Sequence, residues 1–183
     1  MFQRNLARVF LITTVIIFVV FTFSPAIATT LWRIRHRGQI KYAGASFETP
    51  DGWFARVSPA ALHFEKRPLT VFSHSPLVAW ATVAPVGNPP HSTSEREEFY
   101  SNFAALYSTK LALADEIEEQ PIRLGTGDRE AFCMQSVLKD RTDWLRTTCL
   151  IRGGTWRASF EGGPKEKEQF FAQVLGLPDP RPK

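Results

Sequence analysis

From Val9 to Phe23 the chain reads VFLITTVIIFVVFTF, fifteen residues without a charge, and the apolar character runs on through Pro25 to Ala28. A helix that is apolar all round has no face to show to water, so lipid or a protein core must surround it. As one helix, Val9 to Ala28 would rise roughly 30 Å, the thickness of a hydrocarbon core. Arg4 and Arg8 precede it, and Trp32 follows at the place of an interfacial aromatic. Two membrane readings stay open, with a buried core helix beside them. One is a secretory signal with Pro25 as helix breaker and Ala26-Ile27-Ala28 as an A-x-A cleavage site before Thr29. The other is a retained signal anchor. Arg33, Arg35 and Arg37 just behind the cleavage site hinder export and favour retention. The expected organisation is a basic tail (1–8), the anchor or signal (9–28), a basic juxtamembrane stalk (29–41), a globular domain (42–177) and a short tail (178–183).

Charge is unevenly placed. The chain carries 22 Lys/Arg and 18 Asp/Glu, a formal +4. Arg4, Arg8, Arg33, Arg35, Arg37 and Lys41 lie in the first 43 residues, which hold no acid, so the remainder has 16 bases against 18 acids, about −2. A duplex-binding surface needs clustered cations to displace counterions from phosphates. No nucleic-acid partner is expected. Basic residues flank the apolar segment on both sides, so the positive-inside rule orients it only weakly, with a slight preference for the domain inside.

Cys133 and Cys149 are the only cysteines. They form no zinc pattern and no C-x-x-C. Around them REAFCMQSVL, KDRTD and WLRTTCLIR read as strand, turn and strand. A turn centred on Arg141 sets Cys133 opposite Cys149, Phe132 opposite Leu150, Val137 opposite Leu145 and Leu138 opposite Trp144. Directly opposed residues in an antiparallel ladder have Cα atoms about 4.5–5.5 Å apart, within disulfide reach. The alternative is a pair of small buried thiols. A disulfide persists only in an oxidising compartment, which would place the domain outside the cytoplasm.

The rest of the chain alternates strands and helices. YAGASFE, WFARV, HFEKR, LTVFS and LVAWATVA read as strands, with Thr49-Pro50-Asp51-Gly52 as a turn after the first. The near-continuous apolar run of LVAWATVA predicts burial on both faces. Pro85 to His91 is a loop, and Ser94-Glu95-Arg96-Glu97 reads as a capping box. Phe99, Phe103, Leu106 and Tyr107 carry the helix behind it to about Ala112. Strands at 121–124 and TWRASF follow, around the cysteine hairpin. Pro164 opens a last helix faced by Phe170, Phe171, Val174 and Leu175, and Gly176 with Pro178 ends it. The fold class is α+β, an antiparallel sheet flanked by helices.

SFETPDGW, the strand meander, one long amphipathic helix, a hairpin and the terminal FFAQVLGL helix together resemble the PsbP-like fold over roughly residues 42–177. The sharpest element is an aromatic followed by P-x-G-W, here Phe47 and Pro50-Asp51-Gly52-Trp53. The resemblance implies an α/β/α sandwich with an accessory or binding role. It carries over no catalytic residue, and the cysteine pair lies outside its pattern. No lipobox cysteine stands near residue 28.

Motifs for chemistry are sparse. Nucleophile elbow, Walker loop, dinucleotide fingerprint and H-E-x-x-H are missing from the sequence. His63, His74 and His91 fix no metal geometry by their spacing. Glu95, Glu97 and Glu98 fit the opening turn of a helix, where its dipole favours negative charge, and Asp115, Glu116, Glu118 and Glu119 its polar exit. Gly125-x-Gly127 and Gly153-Gly154 suit turns. Trp80 and Trp144 are expected in the core, whereas Trp53 and Trp156 are the candidates to line a pocket. No catalytic residue, cofactor or metal is expected. The expected protein is a non-enzymatic accessory or binding protein of the cell envelope. It is held in the bilayer through residues 9–28 as a single pass, or released if cleaved after Ala28. Its partner would be another envelope protein. A small-ligand binder and a hydrolase with an unrecognised site are the alternatives.

Overall fold

The computed structural model describes residues 2–73, 75, 77–113, 116–118, 121–125, 130–138 and 141–178. The chain runs through α1 (Phe2–Thr22), α2 (Ser24–His36), β1 (Gln39–Tyr42), β2 (Ala45–Glu48), β3 (Trp53–Val57), β4 (Leu62–Lys66) and β5 (Ala79–Pro85). It continues through α3 (Thr93–Leu113), β6 (Glu116–Glu118), β7 (Ile122–Leu124), β8 (Ala131–Leu138), β9 (Arg141–Ile151), β10 (Trp156–Gly162) and α4 (Pro164–Gln169). A π-helical segment, Phe170–Leu175, extends α4.

β1 and β2 form a separate hairpin. The other eight strands make one antiparallel sheet in the order β3-β4-β5-β10-β9-β8, with β6 and β7 sharing the far edge of β8. The α+β class holds. Burial alternates along the strands and defines two faces. Ala55, Phe64, Ala81, Val83, Ala158, Phe160, Cys133 and Cys149 lie in one core cluster, covered by α4 and its π extension. Phe132, Met134 and Leu150, their neighbours in sequence, form a second cluster under α3.

On the first face Phe170 is the hub, with its ring centroid 5.7–6.2 Å from those of Phe64, Phe171, Phe160 and Trp53. Lys167 is 1 % exposed and donates from Nζ to Gln135 Oε1 at 2.5 Å, where Thr147 Oγ1 also donates at 3.1 Å. α4 is thereby fixed to β8 and β9. Where β10 ends, Gly162 faces Ala79, and a Cβ there would stand 2.5 Å from the Ala79 Cβ. Only glycine allows that approach.

The cysteine hairpin forms in the expected register. Cys133 pairs with Cys149, Phe132 with Leu150 and Val137 with Leu145, and the two sulfurs are bonded. The expected Leu138–Trp144 pair is not made, because the ladder shifts after Val137 and Leu138 pairs with Arg141. Trp144 instead donates from its indole to Glu161 Oε1 at 3.4 Å, half-buried rather than in the core.

Several other expectations are corrected. The LVAWATVA strand buries one face only: Ala79, Ala81 and Val83 are buried while Trp80 is 37 % exposed. LTVFS is no strand, since β4 is already paired on both edges and offers it no ladder. Its Leu69, Val71 and Phe72 stand exposed. The turn before β3 is Pro50–Trp53, with Trp53 N–H donating to Pro50 O at 3.2 Å. That shift of one residue sets Gly52, φ +79°, at the third position, where a type II turn requires positive φ.

The N-terminal segment is not one continuous helix. α1 and α2 meet at a 70° bend around Phe23. Pro25 has no N–H for the Phe21 carbonyl and its ring crowds the preceding turn, which breaks the helix there. No single described helix is long and apolar enough to cross a membrane, although the bent pair passes that test together. Nor is 29–41 a free stalk. Residues 29–36 belong to α2 and 39–41 to β1. Arg33 donates to Thr49 O at 3.0 Å and pairs with Asp51, and Trp32 packs against the main core.

Candidate functional site

The second face of the sheet is only partly covered, and the opening lies beside α3. The cap of this helix lies two residues before its expected place. Ser92 Oγ accepts from Glu95 N–H at 3.2 Å, and the Glu95 carboxylate accepts from His91 N–H at 2.8 Å. Ser92 rather than Ser94 is the N-cap. The helix rotates accordingly: Tyr100 is 1 % exposed and stacks on Phe132 at 4.8 Å, whereas Leu106 is 58 % exposed. Phe103 meets Phe132 edge-on at 6.2 Å.

Salt bridges hold α3 to the edge of the sheet. Arg123, in β7, donates to Glu97 through its two terminal guanidinium nitrogens and lies 3.7 Å from Glu130, over the rings of Tyr100 and Phe132. Arg96 reaches Glu130 at 3.3 Å. The bond to Arg123 holds the Glu97 carboxyl below its ordinary range, and Arg123 is raised in return. Burial, then the Glu130 charge, pushes the Tyr100 phenol up to about 12. Its hydroxyl has no hydrogen-bond partner among the described residues.

On the other flank α3 stands away from the sheet and leaves a cleft of about 390 Å³. Phe99, Asn102, Phe103 and Leu106 form its helical wall. Pro85, the last residue of β5, with Val86 and Gly87 after it, forms the opposite wall, and Leu150 and Arg157 lie on the sheet between. The lining is mostly hydrocarbon. Arg157 is directly opposite Leu150 in the β9–β10 ladder and Ala84 in the β5–β10 ladder. Arg96, Arg123 and Arg146 all carry carboxylate partners, but Arg157 makes no ion pair among the described residues. An apolar slot with one uncommitted guanidinium and one carboxamide suits an amphiphile with an acidic end.

The tryptophans chosen from the sequence do not line this cleft. Trp53 is fully buried, stacked near Phe170 and donating from Nε1 to Gln169 Oε1 at 3.0 Å. It fills the core of the opposite face. Trp156 is half-buried and joins the β1–β2 hairpin to the sheet, 6.2 Å from Tyr42 and 5.5 Å from Phe47. Both take part in core packing, and neither borders the cleft.

The remaining sequence candidates are dispersed. His63 Nε2 lies 3.0 Å from Ser58 Oγ, but that hydroxyl donates to Ala61 O at 2.9 Å and accepts from Ala61 N–H, closing the β3–β4 turn. No carboxylate bonds His63 among the described residues. His91 belongs to the α3 cap, and His74 lies outside the described residues. No group of three metal-ligating side chains occurs among the described residues. Glu97 is committed to Arg123 and Glu95 to the cap. Glu116 and Glu118 lie on β6, not at a helix exit, while Asp115 and Glu119 fall outside the described residues.

The site residues missed by sequence reading are Asn102 and Arg157. The only trace was Leu106 in the α3 stripe, an apolar position that the sheet turns out not to cover. No family model and no curated protein matches the chain.

Proposed function

We propose that this chain is a membrane-tethered, non-enzymatic binding protein of the extracytoplasmic side of a cell membrane. One observation carries the reading. Along α1 and the bend, apolar side chains from Val9 to Phe23 stand 43–74 % exposed, with no surface of the domain over most of them. A contiguous apolar area of that kind calls for a lipid environment. The bent α1–α2 pair has the length and apolarity of a membrane span, although neither helix has both alone, and Arg8 before the apolar stretch can extend toward the headgroups.

The Cys133–Cys149 bond supports an oxidising compartment for the domain. Retention is supported over cleavage after Ala28, because Ala26-Ile27-Ala28 lies inside α2, whose next turn is fixed to the domain through Trp32 and Arg33. The PsbP-like resemblance adds an accessory role, and helices on both sides of the sheet suit it. The engagement of Ser58 and His63 in a turn speaks against a hydrolase built on them. To test the assignment, a reporter that needs disulfides is fused after Lys183 and thiol alkylation is followed before and after reduction. The expected result is an active reporter with Cys133 and Cys149 blocked until reduced. Two free thiols with an inactive reporter would overturn the compartment.

A second reading concerns what the domain binds. The cleft under α3 favours a small amphiphile over a protein surface: one apolar chain lies along Phe103, Leu106 and Leu150, and its acidic end meets Arg157. Binding of a fluorescent long-chain fatty acid to the purified protein tests this. Arg157→Gln is expected to weaken binding roughly tenfold, the loss of one charge-assisted hydrogen bond. Equal binding of the acid and its methyl ester would remove the role of Arg157, and no saturable binding would remove the reading.

A further inference from the structure

We infer that the domain has a second membrane contact, formed by the outward stripe of α2 and the loop at residues 69–72, which seats it on the bilayer surface instead of leaving it free on a tether. The inference rests on α1 being in the membrane, and extends that reading to the parts of the domain that share its lipid.

Two independent observations lead there. First, the loop is attached to the end of α1. Val71 N–H donates to Thr22 O at 3.0 Å, and the Phe72 ring lies 6.4 Å from that of Phe18. The last carbonyls of a helix have no partner within it, and in a low-dielectric medium each must find one. The loop supplies that partner for Thr22. Whatever medium surrounds Phe18 also surrounds Phe72, which is 63 % exposed beside Leu69 at 74 %.

Second, α2 is amphipathic in the reverse sense from a helix on a water-soluble domain. Thr29, Trp32 and Arg33 face the domain, the last bonded to Thr49 O and Asp51. Ile27, Leu31 and Ile34, at i, i+4 and i+7, fall on the opposite side and are 39 %, 61 % and 69 % exposed. With α1 upright, the 70° bend lays α2 within about 20° of the bilayer plane. Its outward stripe is then at the level of the headgroup and acyl boundary. The exposed Arg35 and Arg37 follow at its end, without ion pairs among the described residues, placed for lipid phosphates. The occupant of this surface is therefore the bilayer that holds α1. A second copy of the chain would leave the attachment of the loop to Thr22 without a purpose.

The test uses the full chain in phospholipid nanodiscs, with single nitroxide labels at Leu31, Ile34 and Phe72, at Ile16 in α1, and at Ser101 on α3 as the aqueous reference. All five positions are exposed, so labelling leaves the fold intact, and the native disulfide keeps Cys133 and Cys149 unlabelled. Collision with oxygen and with a water-soluble nickel chelate gives the depth of each label. The expected result is that Leu31, Ile34 and Phe72 sit roughly 5–10 Å below the headgroups, with Ile16 deeper still. Ile16 buried while the other three match Ser101 would overturn the second contact and leave the tether standing. Ile16 matching Ser101 would remove both. Protection of Leu31 and Ile34 accompanied by short label-to-label distances between chains would assign the surface to a second copy and overturn the inference.

Discussion

Both faces of the central sheet carry a helix, yet the two covers are built differently. The π-extended α4 brings Phe170, Phe171 and Val174 flat onto one face, where almost every apolar side chain is buried. α3 lies against β8 and β9 on the other, held at one flank by Arg123 and Arg96 and open at the other. Close aromatic packing gives stability and leaves little room for a ligand. A helix held by ion pairs along one side leaves a cleft on its other side. In this molecule the closed face and the face that carries the cleft are opposite surfaces of the same strands.

The largest expected effect tests that division directly. Phe170→Ala removes the hub of the closed face and should cost about 3–5 kcal/mol, whereas Phe103→Ala at the cleft should cost only about 1–2 kcal/mol. Reversible denaturation in mild detergent measures both, and equal losses would break the contrast. Next in size is the disulfide, whose sulfurs lie on the closed face. Cys133→Ala with Cys149→Ala should lower stability by about 3 kcal/mol, since the bond closes a loop of sequence separation 16.

A pH effect follows from Tyr100. Its folded pKa of about 12 stands above its ordinary value of 10.0, so between those values the unfolded chain gives up the proton while the folded chain keeps it. The contribution is fully present below pH 10 and is lost as pH rises toward 12. Stability should therefore fall with pH across that window, and Tyr100→Phe should flatten the fall; an unchanged slope in the variant would locate the alkaline sensitivity elsewhere. The smallest expected effect is that of Leu106→Ala, within about 0.5 kcal/mol in stability because the side chain is mostly exposed. Weaker fatty-acid binding by the same variant would sharpen the contrast, since it separates a cleft wall from a core position.

What could be read from the sequence followed from local or strictly periodic rules. The Cys133–Cys149 pairing was legible because both strands are close in sequence and Phe132, Val137, Leu145 and Leu150 share its register, although the ladder shifts after Val137. The final helix was framed by Pro164 and Gly176, and its buried residues Phe170, Phe171 and Val174 stood at helical spacing. The cleft was not legible, because it depends on how far α3 stands from the sheet, a distance set by ion pairs between residues remote in sequence. The apolar run around Trp80 misled for a similar reason. Alternation was hidden because the half-covered face of β5 is itself largely apolar. The capping box moved by two residues because Ser92, Thr93 and Ser94 can all serve, and packing of Tyr100 on Phe132 decides among them. The break at Phe23 was visible as Pro25, although an apolar segment so long suggested that the helix would run through it.

The sheet order has a consequence for how the chain comes together. β3, β4 and β5 form one meander and β8, β9 and β10 another, and they join only where β5 meets β10. β10 arrives roughly seventy residues after β5, so the first meander must wait with one side of β5 unpaired. Completion of the sheet is therefore a late, single joining event, and it depends on β10, the last of the described strands.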